Sequence, residues 1–186
     1  MSKHTKLYEA LEFATKCHEG QVRKYTGEAY IEHPVAVACM LRKYFTFSDD
    51  ITEDGCIAAI LHDTVEDTEA THDDIVKRYG ETIASYVWFL TKPEAFVGNR
   101  KLRKALDIGR LREAPDVVKA IKLCDLMHNS LSIEKHDPKF WKTFKSEAFE
   151  LVTIDGGAGL SKVAATYSKM DFFLTHYSDF MDRISK

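Results

Sequence analysis

The stretch Cys56-Ile-Ala-Ala-Ile-Leu-His-Asp-Thr-Val-Glu-Asp67 governs the reading of the whole chain. Its opening residues are apolar on every side of a helix, which marks that helix as buried. One histidine and three carboxylates then follow at once: His62, Asp63, Glu66 and Asp67. Ionised carboxylates leaving a buried element are costly unless they are paired, hydrogen-bonded or bound to a cation. A local rule broken in this way tends to mark a site. His62 and Glu66 stand four residues apart, as do Asp63 and Asp67, and on a continuing helix each pair shares a face.

The same anomaly recurs downstream. Val117-Val-Lys-Ala-Ile-Lys-Leu-Cys-Asp-Leu-Met-His-Asn129 reads as a second buried helix, and it carries Asp125 and Asn129 four apart in an apolar context. His33 precedes Pro34 at the mouth of a third helix. One imidazole from each of two segments, with carboxylates from two helices, makes a mixed nitrogen and oxygen set suited to Mn, Fe or a similar divalent ion. Such an ion lowers the pKa of water and polarises a phosphoryl oxygen. Glu66 and Asp67, one turn further on, are placed to orient or deprotonate that water. The plainer reading, a solvated helix end, fits the buried run before it poorly.

Working outward, helical periodicity dominates and no two-residue alternation is sustained, so the expected fold class is all-α. A first helix runs toward Gly20, a natural stop. A polar loop spans 21–32, and Pro34 suits the first turn of the next helix. Thr52 is expected to cap the helix that ends at His62, with Glu53 and Asp54 in its first turn. Thr71 with Asp74 has the pattern of a capping box, opening a segment interrupted at Gly80 and resumed toward Leu90. Pro93, Gly98, Pro115 and Pro138 divide the rest into helices at about 99–112, 116–133 and 139–153. After Asp155-Gly-Gly-Ala-Gly159, one last amphipathic helix is expected to carry Leu160, Val163, Tyr167, Met170, Phe173 and Leu174. No linker divides the 186 residues, which read as a single domain spanning 1–186.

Composition narrows the function. Lys and Arg total 26 against 29 Asp and Glu, a net charge of −3, which disfavours nucleic acid or an anionic membrane as a partner. No apolar run approaches the ~18 to 20 residues of a membrane span, and the opening MSKHTKLYEALEF lacks a signal-peptide core. A cytoplasmic location is expected. Cys17, Cys39, Cys56 and Cys124 form no C-x-x-C pair and read as reduced core residues.

Four segments together carry a resemblance: His18-Glu-Gly-Gln-Val-Arg-Lys24, Gly27-Glu-Ala-Tyr-Ile-Glu-His-Pro34, Leu61-His-Asp-Thr-Val-Glu-Asp-Thr68 and Lys122-Leu-Cys-Asp-Leu-Met-His-Asn129. In order and spacing, over about residues 5–135, they resemble the HD-type (p)ppGpp hydrolase domain of the RelA/SpoT family. The stand-alone small alarmone hydrolases are nearest in length. The resemblance implies an HD fold. It makes His33, His62, Asp63 and Asp125 the ligands of one Mn ion, with another divalent metal as the alternative. It makes Glu66 and Asp67 the catalytic acidic pair, places Arg23 against the guanine and Lys24 near the nucleotide, and has Asn129 hydrogen-bonding near the ribose.

The implied activity is removal of the 3′-pyrophosphate of (p)ppGpp by water, leaving GDP or GTP and lowering alarmone levels in the stringent response. The implied partner is a small-molecule nucleotide, with a functional pairing to an alarmone synthetase. The basic stretch Arg100, Lys101, Arg103, Lys104, Arg110 and Arg112 could hold phosphate charge or simply face water. The aromatic tail, with Tyr167, Phe172, Phe173 and Phe180, reads as packing, with a homo-oligomer contact as its other use. Two alternatives stay open: an HD phosphatase for a nucleoside monophosphate or NADPH, and a nucleotide-binding regulator without turnover. His18, His128, His136 and His176 are assigned no chemistry.

Overall fold

The structure, a computed structural model, describes residues 3–92, 98–153 and 157–186. Pro93 and Asp155-Gly156, expected as breakers, lie outside them. In chain order the elements are α1 (Lys3–Cys17), α2 (Glu32–Tyr44), α3 (Asp49–Leu61), α4 (Thr64–Asp67), α5 (His72–Tyr79), α6 (Glu81–Leu90), α7 (Arg100–Glu113), α8 (Asp116–His136), α9 (Pro138–Val152) and α10 (Leu160–Tyr167). They are followed by α11 (Met170–Phe172), a π-helical turn (Phe173–Tyr177) and α12 (Ser178–Ser185). The described residues contain no strand, only isolated bridges between Val22 and Ala29 and between Phe45 and Ser168. The all-α expectation holds.

Helix α3 is the axis of the packing: α1, α2, α6 and α8 all lie against it. Its N-terminal half carries Asp49, Asp50, Glu53 and Asp54 where the helix dipole favours negative charge, and every residue from Gly55 to Leu61 is buried. The cap is Ser48 rather than Thr52, whose hydroxyl instead donates to the Ser48 carbonyl at 3.0 Å. The capping box at Thr71 and Asp74 is present in both directions, and Gly80, with φ at 89°, turns α5 into α6. Cys56 and Cys124 are buried, but Cys17 is only partly covered and Cys39 is exposed, so not all four are core residues.

The expected single C-terminal helix is in fact broken at Ser168 and Lys169. There the chain is stitched to the end of α2: Thr46 N–H donates to Tyr167 O at 2.9 Å and Lys169 N–H to Tyr44 O at 2.8 Å. Phe172 and Phe180 beyond the break are fully buried, whereas Met170 and Leu174, expected on the apolar face, are 70% and 64% exposed. The register changes at the break and again at the π turn, which moves the apolar stripe.

Two glycines report the packing with opposite signs. A Cβ at Gly55 would stand 2.6 Å from Val117 Cγ2 and 3.0 Å from Leu41 Cδ2, so α2, α3 and α8 meet closely only because this residue has no side chain. Gly109 of α7 has nothing within 4 Å of that position. Gly55→Val is expected to lower stability by about 1–3 kcal/mol through overpacking, and Gly109→Ala to raise it by about 0.5–1 kcal/mol through helix propensity. Urea unfolding of both variants measures the contrast.

Candidate active site

Helix α3 ends where the polar residues begin. Thr64, fully buried, donates its hydroxyl to Leu61 O at 2.7 Å, and His62 and Asp63 form a turn before α4. The helix therefore does not continue unbroken from Leu61 to Asp67 as the four-residue spacing suggests. The backbone stays close to helical, with Asp67 N–H donating to Asp63 O at 2.9 Å, but the two-residue turn redirects the side chains. His62 and Asp63 face inward and are buried, while Asp67 lies at the rim.

The turn meets the first turn of α2 and the middle of α8. His33 Nε2 lies 3.2 Å from Asp125 Oδ1 and 3.7 Å from Asp63 Oδ2, and His62 Nε2 lies 3.1 Å from Asp63 Oδ2 and 3.9 Å from Asp125 Oδ1. The ligand atoms of His33, His62 and Asp63 fall within 4.8 Å of one another. Ligand atoms about 2.1 Å from one octahedral ion stand about 3.0 Å apart across a right angle and about 4.2 Å apart across the ion. The four nitrogen–oxygen distances, 3.1 to 3.9 Å, fall in that range.

The hydrogen bonds test the fit further. His62 Nδ1 is 2.8 Å from the Ala59 carbonyl, which can only accept, so Nδ1 carries the hydrogen and Nε2 presents a lone pair in the neutral ring. That Nε2 is buried with no hydrogen-bond partner, its close approach to Asp63 lacking hydrogen-bond geometry. A buried nitrogen without a hydrogen bond beside two carboxylates fits a positive charge at that point, a proton or a metal ion.

The electrostatics make the same demand. Burial alone would raise Asp63, but His62 and His33 hold it well below the usual carboxylate range. Asp125 is likewise depressed against burial, by Lys122 and the same imidazoles. His62 is pushed up to about 9 despite its burial, because Asp63 and Asp125 favour a positive charge there. Buried carboxylates are drawing positive charge into the centre, and a divalent cation answers that pull. Asp125 is also held from outside: Lys122 Nζ donates to Oδ2 at 2.8 Å and Asn129 Nδ2 to Oδ1 at 2.6 Å.

The acidic pair flanks this cluster unequally. Glu66 is clamped by Lys92, whose backbone N–H donates to Oε2 at 3.1 Å and whose Nζ donates to Oε1 at 2.8 Å. Burial opposes the charge on Lys92, but Glu66, Asp63 and Asp125 raise its pKa. Asp67 is raised by burial and by the neighbouring Asp63 and Glu66 charges, which suits a group that exchanges protons. The Tyr30 hydroxyl lies 2.7 Å from Asp63 Oδ2 and 3.1 Å from Asp67 Oδ2, joining the cluster to the rim.

Arg23 reaches the site through a short hairpin, where Arg23 N–H donates to Glu28 O at 2.8 Å and Tyr30 N–H to Gln21 O at 3.0 Å. Its guanidinium donates to Asn129 Oδ1 at 2.5 Å, so Arg23, Asn129 and Asp125 form one chain of contacts. Lys24 is not brought in: its Nζ lies 3.2 Å from Tyr25 Oη and 3.5 Å from Asp137 at the far end of α8. Beside Asp125 and Asn129 opens a cavity of about 490 Å³ walled by Lys92, Arg100, Arg103, Lys104 and Lys122, with Phe140 and Phe144 on its apolar side. Of the basic stretch on α7, Lys101, Arg110 and Arg112 do not line it. Arg100 is already paired with Glu147 at 2.8 Å and Lys104 with Glu150 at 2.7 Å.

Tyr30, Lys92, Lys122 and His128 were not singled out by the sequence. Tyr30 lies three residues before His33, and Lys122 three before Asp125, so helical spacing from a ligand was the available signal. His128, assigned no chemistry, has its Nδ1 2.9 Å from Nδ1 of His33. It stays neutral, lowered to about 4 by burial, His33 and Arg23. Nothing local to Lys92 could announce that it meets Glu66 across the fold.

Residues 10–152 match the HD domain family. The chain is 33% identical over 150 residues to the bifunctional (p)ppGpp synthase/hydrolase SpoT of Escherichia coli K12, covering 78% of this chain but only 20% of that protein. It is 30% identical over 149 residues to the human guanosine-3′,5′-bis(diphosphate) 3′-pyrophosphohydrolase MESH1, covering 80% of each. The solved structure of a metazoan ortholog of SpoT that hydrolyses ppGpp superposes with a TM-score of 0.68 at 26% identity, over 96% of this chain and 93% of that one. A Listeria monocytogenes structure shares the fold, with a TM-score of 0.59 at 24% identity, over 88% and 100% of the two chains. Family match, a relative of similar length in MESH1 and the superposition agree: the chain belongs to the HD domain family, alongside SpoT and MESH1.

Proposed function

We propose that this chain hydrolyses the 3′-pyrophosphate of (p)ppGpp, with one divalent ion, Mn in the first instance, held by His33, His62, Asp63 and Asp125. The observation that carries the reading is the buried Nε2 of His62, without a hydrogen bond, facing the Asp63 and Asp125 carboxylates beside a cavity rich in Lys and Arg side chains, with Asp107 and Glu147 among them. Relatives of matching length and fold are named for this reaction. The continuous core from Ala10 to Ile184 supports reading residues 1–186 as one HD-type domain.

In the reaction, water adds to phosphorus and the bond from that phosphorus to the ribose 3′-oxygen breaks, giving pyrophosphate and GDP from ppGpp or GTP from pppGpp. The ion, when bound, supplies Lewis acidity at a phosphoryl oxygen and makes water acidic enough to react at neutral pH. Asp67, at the rim with a raised pKa, takes the proton from the attacking water. Glu66, fixed by Lys92, orients that water. Lys92, Arg103 and Lys122 face the cavity where the phosphate chain lies and offset its charge. Arg23 and Asn129 hold the nucleoside end, with Arg23 against the base. Lys24, exposed and turned toward Asp137, would have to leave that contact to add charge near the nucleotide. This reading makes the partner a small nucleotide and leaves a synthetase as a functional counterpart, acting on the same alarmone.

Incubating chelator-stripped protein with Mn and a panel of ppGpp, pppGpp, NADPH and nucleoside monophosphates is expected to release pyrophosphate from the alarmones alone. Orthophosphate as the product would favour another HD phosphatase, and metal-loaded protein that binds ppGpp without turnover would make it a binding module. Asp67→Asn and Glu66→Gln are each expected to lower kcat by about 10²–10⁴-fold while still binding Mn. His62→Ala is expected to lose the metal itself, read as Mn content after dialysis.

A further inference from the structure

His62 and His33 differ in what holds their rings. The Ala59 carbonyl leaves His62 no choice of tautomer. His33 Nδ1 instead meets a second imidazole, with 2.9 Å between its Nδ1 and that of His128 and ring centroids 4.9 Å apart. Either nitrogen of that pair can carry the shared hydrogen. If His128 donates, His33 bears its own hydrogen on Nε2, pointing at Asp125 Oδ1 3.2 Å away, and cannot bind a cation. If His33 donates, its Nε2 presents a lone pair to the same point as His62. His33 is buried and His128 only partly so, so His128 can leave its own Nε2 hydrogen to water, whereas a hydrogen on His33 Nε2 would fill the space toward Asp125 that a cation needs.

We propose that His128 is a positioning residue: its Nδ1 accepts the hydrogen of His33 Nδ1 and holds His33 in the tautomer whose Nε2 lone pair faces Asp63, Asp125 and the cation. The proposal rests on the metal site argued above. Helix α8 then supplies one ligand, Asp125, and three residues later the group that orients another. Outer partners of ligating histidines act in this way on metal affinity, not only on turnover.

Three measurements test it. In wild-type protein loaded with zinc as a diamagnetic probe, long-range ¹H–¹⁵N spectra are expected to show His33 protonated at Nδ1 and His128 at Nε2. By calorimetry, His128→Leu is expected to weaken Mn binding by about 10- to 100-fold, and His128→Asn, which retains an acceptor oxygen, by no more than about threefold. Thermal melting of both variants separates this from a packing role, which would follow the fold and not the acceptor. Zinc-loaded His33 protonated at Nε2, or a folded His128→Leu that binds Mn as wild type does, overturns the assignment. If His128→Leu fails to fold, the wild-type spectra decide alone. Wild-type protein that binds neither ion overturns the metal site, and this assignment with it.

Discussion

Two buried aspartates on different elements face one point, and most of what surrounds them serves to make that tolerable. Asp63 and Asp125 lie among apolar helices, where an uncompensated carboxylate is strongly destabilising. The protein answers from several directions. Lys122 and Asn129 take the two oxygens of Asp125, Tyr30 takes Asp63, and two imidazoles face the remaining space. The balance is still incomplete without a cation, which is the sense in which the cluster is built for one.

The fold earns this arrangement through close packing. Helices α2, α3 and α8 meet at Gly55, and each carries or ends at a proposed ligand: His33 near the start of α2, His62 and Asp63 just past α3, Asp125 within α8. The ligands inherit the rigidity of the core rather than the freedom of a loop. The acidic pair, on the short α4, sits where the core gives way to the rim, and on the proposed mechanism that boundary separates residues that hold the ion from residues that handle the water.

Much of this was legible in the chain. The buried run ending in His62-Asp63 and its echo at Asp125 broke the pattern of an apolar helix, and such breaks survive in sequence because burial leaves a compositional trace. The Thr71 and Asp74 capping box was readable because it is local. What escaped was non-local or directional. The turn at His62 and Asp63 keeps near-helical dihedrals, so no glycine or proline announces it. The break at Ser168 is secured by hydrogen bonds to Tyr44 and Thr46, which no local pattern contains. Lys92 reaches Glu66 from the end of α6, and His128 looked like one more helical histidine until His33 lay against it. Lys24 shows the converse: adjacency to Arg23 in sequence does not carry it to the same place, since it lies in the turn beside Asp137 while Arg23 reaches Asn129.

The ligand cluster also bears on how the molecule holds together. His33, His62 and Asp125 belong to distant parts of the chain, brought together only once α2, α3 and α8 have docked. A divalent ion that binds the docked arrangement and ignores the unfolded chain works as a removable rivet, adding about 2.7 kcal/mol of resistance to unfolding when free ion is a hundredfold above Kd. On the proposed function, catalytic readiness and resistance to unfolding then rise and fall with the same supply of metal.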